Sequence, residues 1–259
     1  MKHVKMMVAA LAAGTAATVM AGLYGDTPDA RHAWAVHDMN RPAPKKIAAE
    51  PGQPPSDAIV LFDGTSLDNW ESTKGEPTKW RLADGALESV KGAGYIRTKQ
   101  AFGDCQLHIE WAAPAKVEGQ GQGRGNSGVF LMGSYEIQVL DSWGWRIPGM
   151  GDCGAFYNQY APLVNACNPP TVWQTYDVVF RAARVADGKV VEKVRVTVFH
   201  NGQVIHNNVE LPGVTGGAIT PDEGVAGPLL LQDHGNLVAY RNIWIVPLPA
   251  KGSDTYEPH

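Results

Sequence analysis

From about residue 58 onward, apolar and polar residues alternate with a period of two, which is the pattern of half-buried β-strands. "KWRLADGALESV" predicts a hairpin around Asp84-Gly85, and "CQLHIEWA" alternates cleanly. "SGVFLMG" and "YEIQVLD" predict a strand pair joined at Gly133-Ser134, and "WQTYDVVFRAA" predicts a strand after the Pro169-Pro170 break. "VEKVRVTVFHNGQVIHNNVEL" predicts a hairpin, since Asn201-Gly202 suits the two positive φ angles of a type I′ turn. "GPLLLQDHGN" and "AYRNIWIVPL" predict the closing strands. No long stripe of helical period follows the N-terminal segment. About eleven strands separated by turn signals predict an all-β fold, a sandwich or jelly roll of two antiparallel sheets.

"SYEIQVLDSW", residues 134–143, sets the functional question. Tyr135, Ile137 and Val139 share one face and predict core. Glu136 and Gln138 share the other, either as solvated surface or as the wall of a groove. Two acids at such positions would suit a retaining glycosidase, whose carboxylates lie about 5–5.5 Å apart. An amide at the second position serves neither as nucleophile nor as general acid, so this strand argues against a double-displacement glycosidase.

The ends of the chain read differently. Residues 1–21 predict a signal peptide: Lys2 and Lys5 precede the apolar run "VAALAAGTAATVMA", too short for a confident membrane span, with small residues before a cleavage point after Ala21. The expected location is therefore periplasmic or secreted, with no stable membrane insertion after cleavage. Residues 22–57 are rich in Pro and Ala and predict a disordered linker; residues 58–249 form the folded domain and 250–259 a loose tail. A net charge of -4 and the lack of a basic cluster in the folded part exclude nucleic acid as a partner. In an oxidising compartment Cys153 and Cys167 predict a disulfide, while Cys105, alternating with apolar residues, predicts a buried free thiol.

The remaining candidates lie at strand ends. His234 in "LLLQDHGN" is the best-placed proton shuttle, because histidine titrates near working pH. Gln232 precedes it. "GQGQGRGNSGVF" lacks the Lys-Ser/Thr ending of a phosphate loop and reads as a flexible lip, with Arg124 able to reach a groove and Asn126 at the start of a strand. Arg241 suits a carboxylate or sugar hydroxyls. Trp143, in the loop after the Glu136 strand, suits stacking on a sugar ring.

"LFDGTSLDNW", "GNSGVFLMGSYEIQVLDSW", "GAFYNQYAP", "WQTYDVVF", "VTVFHNGQVIHN", "GPLLLQDHGN" and "RNIWIVPL" together, in this order, resemble the 3-keto-disaccharide hydrolase family over about residues 58–248. The resemblance implies a concanavalin-like jelly-roll sandwich and a hydrolase or lyase acting on sugars oxidised to a ketone at carbon 3. The ketone acidifies the hydrogen on carbon 2; its removal lets the carbon 1 substituent leave, and water addition gives net hydrolysis. On this reading His234 is the expected base and Glu136 orients it or acts as a second acid/base. Arg241 or Arg124 stabilises the oxyanion, while Asn126, Gln138 and Asp141 bind hydroxyls. A divalent cation is left open as cofactor, with Glu136, Asp141 and His234 as candidate ligands. The alternatives are a lectin-like sugar-binding module and an ordinary glucanase, the latter disfavoured by Gln138.

Overall fold

The computed structural model describes residues 44–146 and 148–250. The predicted signal peptide, most of the linker and nearly all of the tail lie outside the described residues. The strands are β1 (Ile59–Phe62), β2 (Trp70–Ser72), β3 (Arg81–Ala83), β4 (Ala86–Glu88), β5 (Ile96–Phe102), β6 (Cys105–Ala112), β7 (Ser127–Leu131), β8 (Tyr135–Val139), β9 (Gln174–Arg181), β10 (Arg184–Ala186), β11 (Lys189–Glu192), β12 (Arg195–His200), β13 (Gln203–Glu210), β14 (Gly227–Leu231) and β15 (Ala239–Pro247).

Eight strands form one sheet, ordered β13-β12-β9-β6-β15-β4-β3, with β1 pairing along β15. Five form the second, ordered β2-β5-β14-β7-β8, and β10-β11 is a separate hairpin. Every pairing is antiparallel. The jelly-roll sandwich expected from the alternation is the fold.

Alternation decides which residues make the core. Leu107, Ile109 and Trp111 of β6, and Tyr176, Val178 and Phe180 of β9, pack against Tyr135, Ile137 and Val139 of β8 and Val129 and Leu131 of β7. Tyr135 meets Phe180 with ring centroids 5.7 Å apart. Two tyrosines bury their hydroxyls across the gap and satisfy them there: Tyr240 donates to Ser127 Oγ at 2.6 Å and Tyr176 to the Gln138 carbonyl at 2.7 Å.

The hairpin turns follow their residues. Asn201 and Gly202 adopt φ of 50° and 77°, as a type I′ turn demands, and Asp84-Gly85 and Asp187-Gly188 do the same. The stretch read as one strand from Val191 is broken. Lys189–Glu192 turns back on Arg184–Ala186, and β12 begins only at Arg195. Glu192 and Lys193 interrupt the apolar spacing between Val191 and Val194, and Asp187-Gly188 supplies the turn that reverses the chain. At the end of the expected linker, Ser56 N bonds the Ala48 carbonyl, and the Gly52 carbonyl accepts from Asn242 Nδ2 at 3.0 Å. This stretch is thereby tied to the large sheet.

Candidate active site

All five residues of β8 are buried, on both faces. The inner face is the core. The outer face, carrying Glu136 and Gln138, is roofed by loops from three parts of the chain. Residues 154–157 bond along the free edge of β8, through Gln138 N to the Ala155 carbonyl, Gly154 N to the Gln138 carbonyl and Tyr157 N to the Glu136 carbonyl. The Thr215 hydroxyl accepts from Glu136 N at 2.8 Å. Gln122, in the 3-10 turn Gly121–Gly123, closes the Gln138 end.

The floor follows from strand register. Gly128 lies opposite Gln138 and Phe130 opposite Glu136, while Gln232 N bonds the Gly128 carbonyl. Gln232, Gly128 and Gln138 thus form one row across the sheet, with Leu230, Phe130 and Glu136 in the next. A β-carbon on Gly128 would collide with Glu136 Oε1. The glycine lets the carboxylate lie over the sheet between the two glutamines. Tyr95 packs its ring against Phe130, centroids 6.1 Å apart, and its hydroxyl accepts from Gln232 Nε2 at 2.8 Å.

Glu136 is 3% exposed. Burial alone pushes its carboxyl up to about 8, and no cation or hydrogen-bond donor among the described residues offsets the loss of water. Burial, with the charges of Glu136 and Asp233 adding to it, also pushes the Tyr95 phenol above its ordinary value. Of the two cations on the outward face of β5, Arg97 is bound to Glu71 at 2.9 Å and Lys99 is exposed. Around the acid, Asn126 Oδ1, Gln138 Oε1 and Gln232 Oε1 are buried acceptors without a partner among the described residues. Leaving such a group unsatisfied costs roughly 1–3 kcal/mol each, a cost that a hydroxylated ligand donating to them would offset.

The sequence-expected residues separate into two groups. Glu136, Gln138, Asn126 and Gln232 come together. Asp141 lies just past β8 and is held by Arg124 Nε at 2.7 Å, while its other oxygen accepts from Trp143 N at 3.2 Å. Arg124 and Asp141 are therefore partners of each other. Trp143 is 49% exposed, on the loop that Asp141 starts. His234 sits in an exposed loop and makes no hydrogen bond or ion pair among the described residues; that loop is anchored by its neighbour Asp233, whose oxygens accept from Gly94 N and Gly235 N.

Arg241 is a correction. The preceding Tyr240 points into the core, so Arg241 points out of the eight-stranded sheet, on the far side of the sandwich from Glu136. There its Nε bonds Glu110 at 2.6 Å and its guanidinium lies 4.1 Å from the Trp173 ring centroid. A pairing read as an oxyanion donor is an ion pair on another surface.

The expected metal ligands do not converge either. Among the described residues no group of three or more His, Cys, Asp and Glu is arranged to hold a metal, because Asp141 is engaged by Arg124 and His234 lies on its loop. Cys153 and Cys167 are brought together but remain free thiols, and the expected bridge is not formed. Cys105 is free and buried as expected, its thiol pushed up to about 12 by burial. The reading from sequence missed Tyr95, Gln122 and Thr215. Each stands in a turn or loop where no periodicity marks a facing direction.

The 3-keto-alpha-glucoside-1,2-lyase-like domain family matches residues 57–246. The chain belongs to this family. A candidate glycosyl hydrolase from Parabacteroides distasonis ATCC 8503 is 40% identical and superposes with a TM-score of 0.75, over 83% of this chain and 98% of that one. A second candidate glycosyl hydrolase from the same organism, at 21% identity and a TM-score of 0.56 over 74% and 94% of the two chains, shares the fold. No curated protein matches the chain. The 3-keto-glycoside family and its glycosyl hydrolase-like domain thus account for residues 57–246, which include every strand but the last residue of β15.

Proposed function

We propose that the protein is an exported enzyme that cleaves 3-keto-glycosides by proton abstraction beside the ketone. The observation that carries this is the lone buried Glu136, its carboxyl raised to about 8, among amides and a phenol with no partner for its charge. A carboxylate made this basic is a stronger proton acceptor than an ordinary one and is matched to working pH. Export rests on the charged and apolar N-terminal segment alone.

In this mechanism Glu136 takes the proton from carbon 2, and the C–H electron pair moves toward the ketone as an enolate. The Tyr95 phenol already accepts a hydrogen bond from Gln232, which leaves its own proton free to donate to the enolate oxygen. The enolate then collapses back to the ketone, its C2 pair forms the C1–C2 double bond, and the C1–O pair departs with the aglycone oxygen, which takes up the proton held by Glu136. Water adding across that double bond gives the free keto sugar. Asn126 and Gln138 hold sugar hydroxyls. This route needs one carboxylate base, which Glu136 supplies; among the described residues no second carboxylate acts on it as the paired acids of a glucanase would. His234 lies on the exposed loop after β14, two residues from Gln232.

The test is aglycone release from p-nitrophenyl 3-keto-α-glucoside and from the unoxidised glucoside. Release from the keto substrate alone is expected. Release from neither, with sugar binding intact, would favour a lectin-like module, and release from the plain glucoside an ordinary glycosidase.

A further inference from the structure

Two backbone carbonyls, which can only accept, and the Gln122 side chain together set the orientation of the amides at the closed end of the site. The Gly151 carbonyl accepts from Gln122 Nε2 at 2.6 Å, so Gln122 must turn its oxygen the other way. That oxygen accepts from Gln138 Nε2 at 3.0 Å and from Asn126 Nδ2 at 3.3 Å. Gln138 Nε2 also reaches the Gly151 carbonyl at 3.2 Å, and Asn126 Nδ2 reaches the backbone carbonyl of Gln122 at 2.6 Å. Asn126 and Gln138 have therefore committed their NH2 groups to the 120s turn and to Gly151. What remains on each is its oxygen, buried and unpaired. Left to themselves, the two planar amides could flip and offer donors instead.

We infer that Gln122 sets ligand specificity: its side-chain oxygen holds the Gln138 amide and its backbone carbonyl holds the Asn126 amide, so that each keeps its own oxygen as an unpaired acceptor for hydroxyl donors on the sugar. Gln122 acts through those two side chains, so it is a positioning residue. This gives the Gly-rich lip a task. Gly121, at φ 52°, and Gly123 flank Gln122 within a single 3-10 turn, and the side chain that the turn delivers seats against Gly151 on the opposite wall. The ligand class is one that donates at these positions. A sugar that replaces a donated hydroxyl by hydrogen leaves a buried acceptor empty and is discriminated against.

The inference rests on the reading of the Glu136 face as a sugar site, and its experiment separates the two. Steady-state kinetics are measured for wild type and Gln122→Ala on p-nitrophenyl 3-keto-α-glucoside and on its 2-, 4- and 6-deoxy counterparts. In wild type at least one deoxy substrate should lose about tenfold or more in kcat/KM. In Gln122→Ala, which keeps the backbone carbonyl that holds Asn126, the parent substrate should rise about threefold or more in KM while kcat changes by less than about twofold, and the penalty for the hydroxyl read by Gln138 should fall at least about threefold. Gln122 stands in an exposed turn, so a matching thermal melt checks that the variant is folded. If the variant keeps the wild-type penalty, or loses kcat instead of KM, the inference fails while the keto-glycoside reading stands. If wild type turns over nothing, that reading fails. Calorimetric binding of methyl α-glucoside and its deoxy forms then decides the inference: equal affinities, or no binding at all, overturn it, and a deoxy penalty lost in Gln122→Ala supports it.

Discussion

Glu136 shows how much one position can carry. Its folded carboxyl keeps its proton up to about 8, whereas the unfolded side chain ionises near the ordinary value of 4.5. Between those values the folded state holds a proton that the unfolded state has lost. Stability therefore falls as pH rises through that window and levels off above it. Glu136→Gln removes this loss. The variant should melt close to wild type at pH 4.5 and gain stability relative to it toward pH 8, by on the order of 1–3 kcal/mol. A series of thermal melts across that range checks it. The same variant should lose about 10²-fold or more in turnover of the keto substrate. Wild-type kcat/KM should rise with pH through about 8 as the carboxylate forms. A profile that falls through the same range would make Glu136 an acid rather than a base.

The β7–β8 pair explains the odd polar face at the level of elements. Tyr135, Ile137 and Val139 satisfy the core, which frees the alternate positions for chemistry. Glu136 can lie flat over the sheet only because its diagonal neighbour on β7 is Gly128. Gly128→Ala should keep the pairing, since its backbone needs no positive φ. Its methyl group would displace the carboxylate from between Gln138 and Gln232. The expected result is a loss of at least tenfold in kcat with a shift of the pH profile, read by steady-state kinetics. An unchanged profile would mean that the carboxylate works from elsewhere. The pairing of β7 with β8, the turn at Asn201-Gly202 and the lone thiol Cys105 were legible because each is a local pattern with a local cause. The β10–β11 hairpin was missed although Asp187-Gly188 marks its turn, because Val190-Val191-Glu192-Lys193 does not alternate and so shows neither a strand nor its end.

For the whole molecule, the two outer faces of the sandwich have different tasks. The five-stranded sheet carries the candidate site. The eight-stranded sheet carries a polar network in which His108 bonds Asp177 at 2.6 Å, Asn242 bonds Glu110 at 2.9 Å, and Arg241 caps Glu110. Arg241→Ala should therefore leave turnover of the keto substrate within about twofold of wild type, with at most about 1 kcal/mol lost in stability, since its ion pair is partly exposed. A large kinetic defect would place Arg241 in the mechanism. By itself the sequence determined the period of the strands, and with it the all-β sandwich, the core residues and the identity of the acid beside an amide, since alternation and turn chemistry are local. Tertiary structure decided the rest. It set which outward face is roofed, how far burial raises Glu136, which arginine is already paired, and which way the amides of Asn126 and Gln138 point. Those properties depend on partners brought in from distant parts of the chain, such as Gln122, Gly151 and Thr215, and no local pattern encodes them.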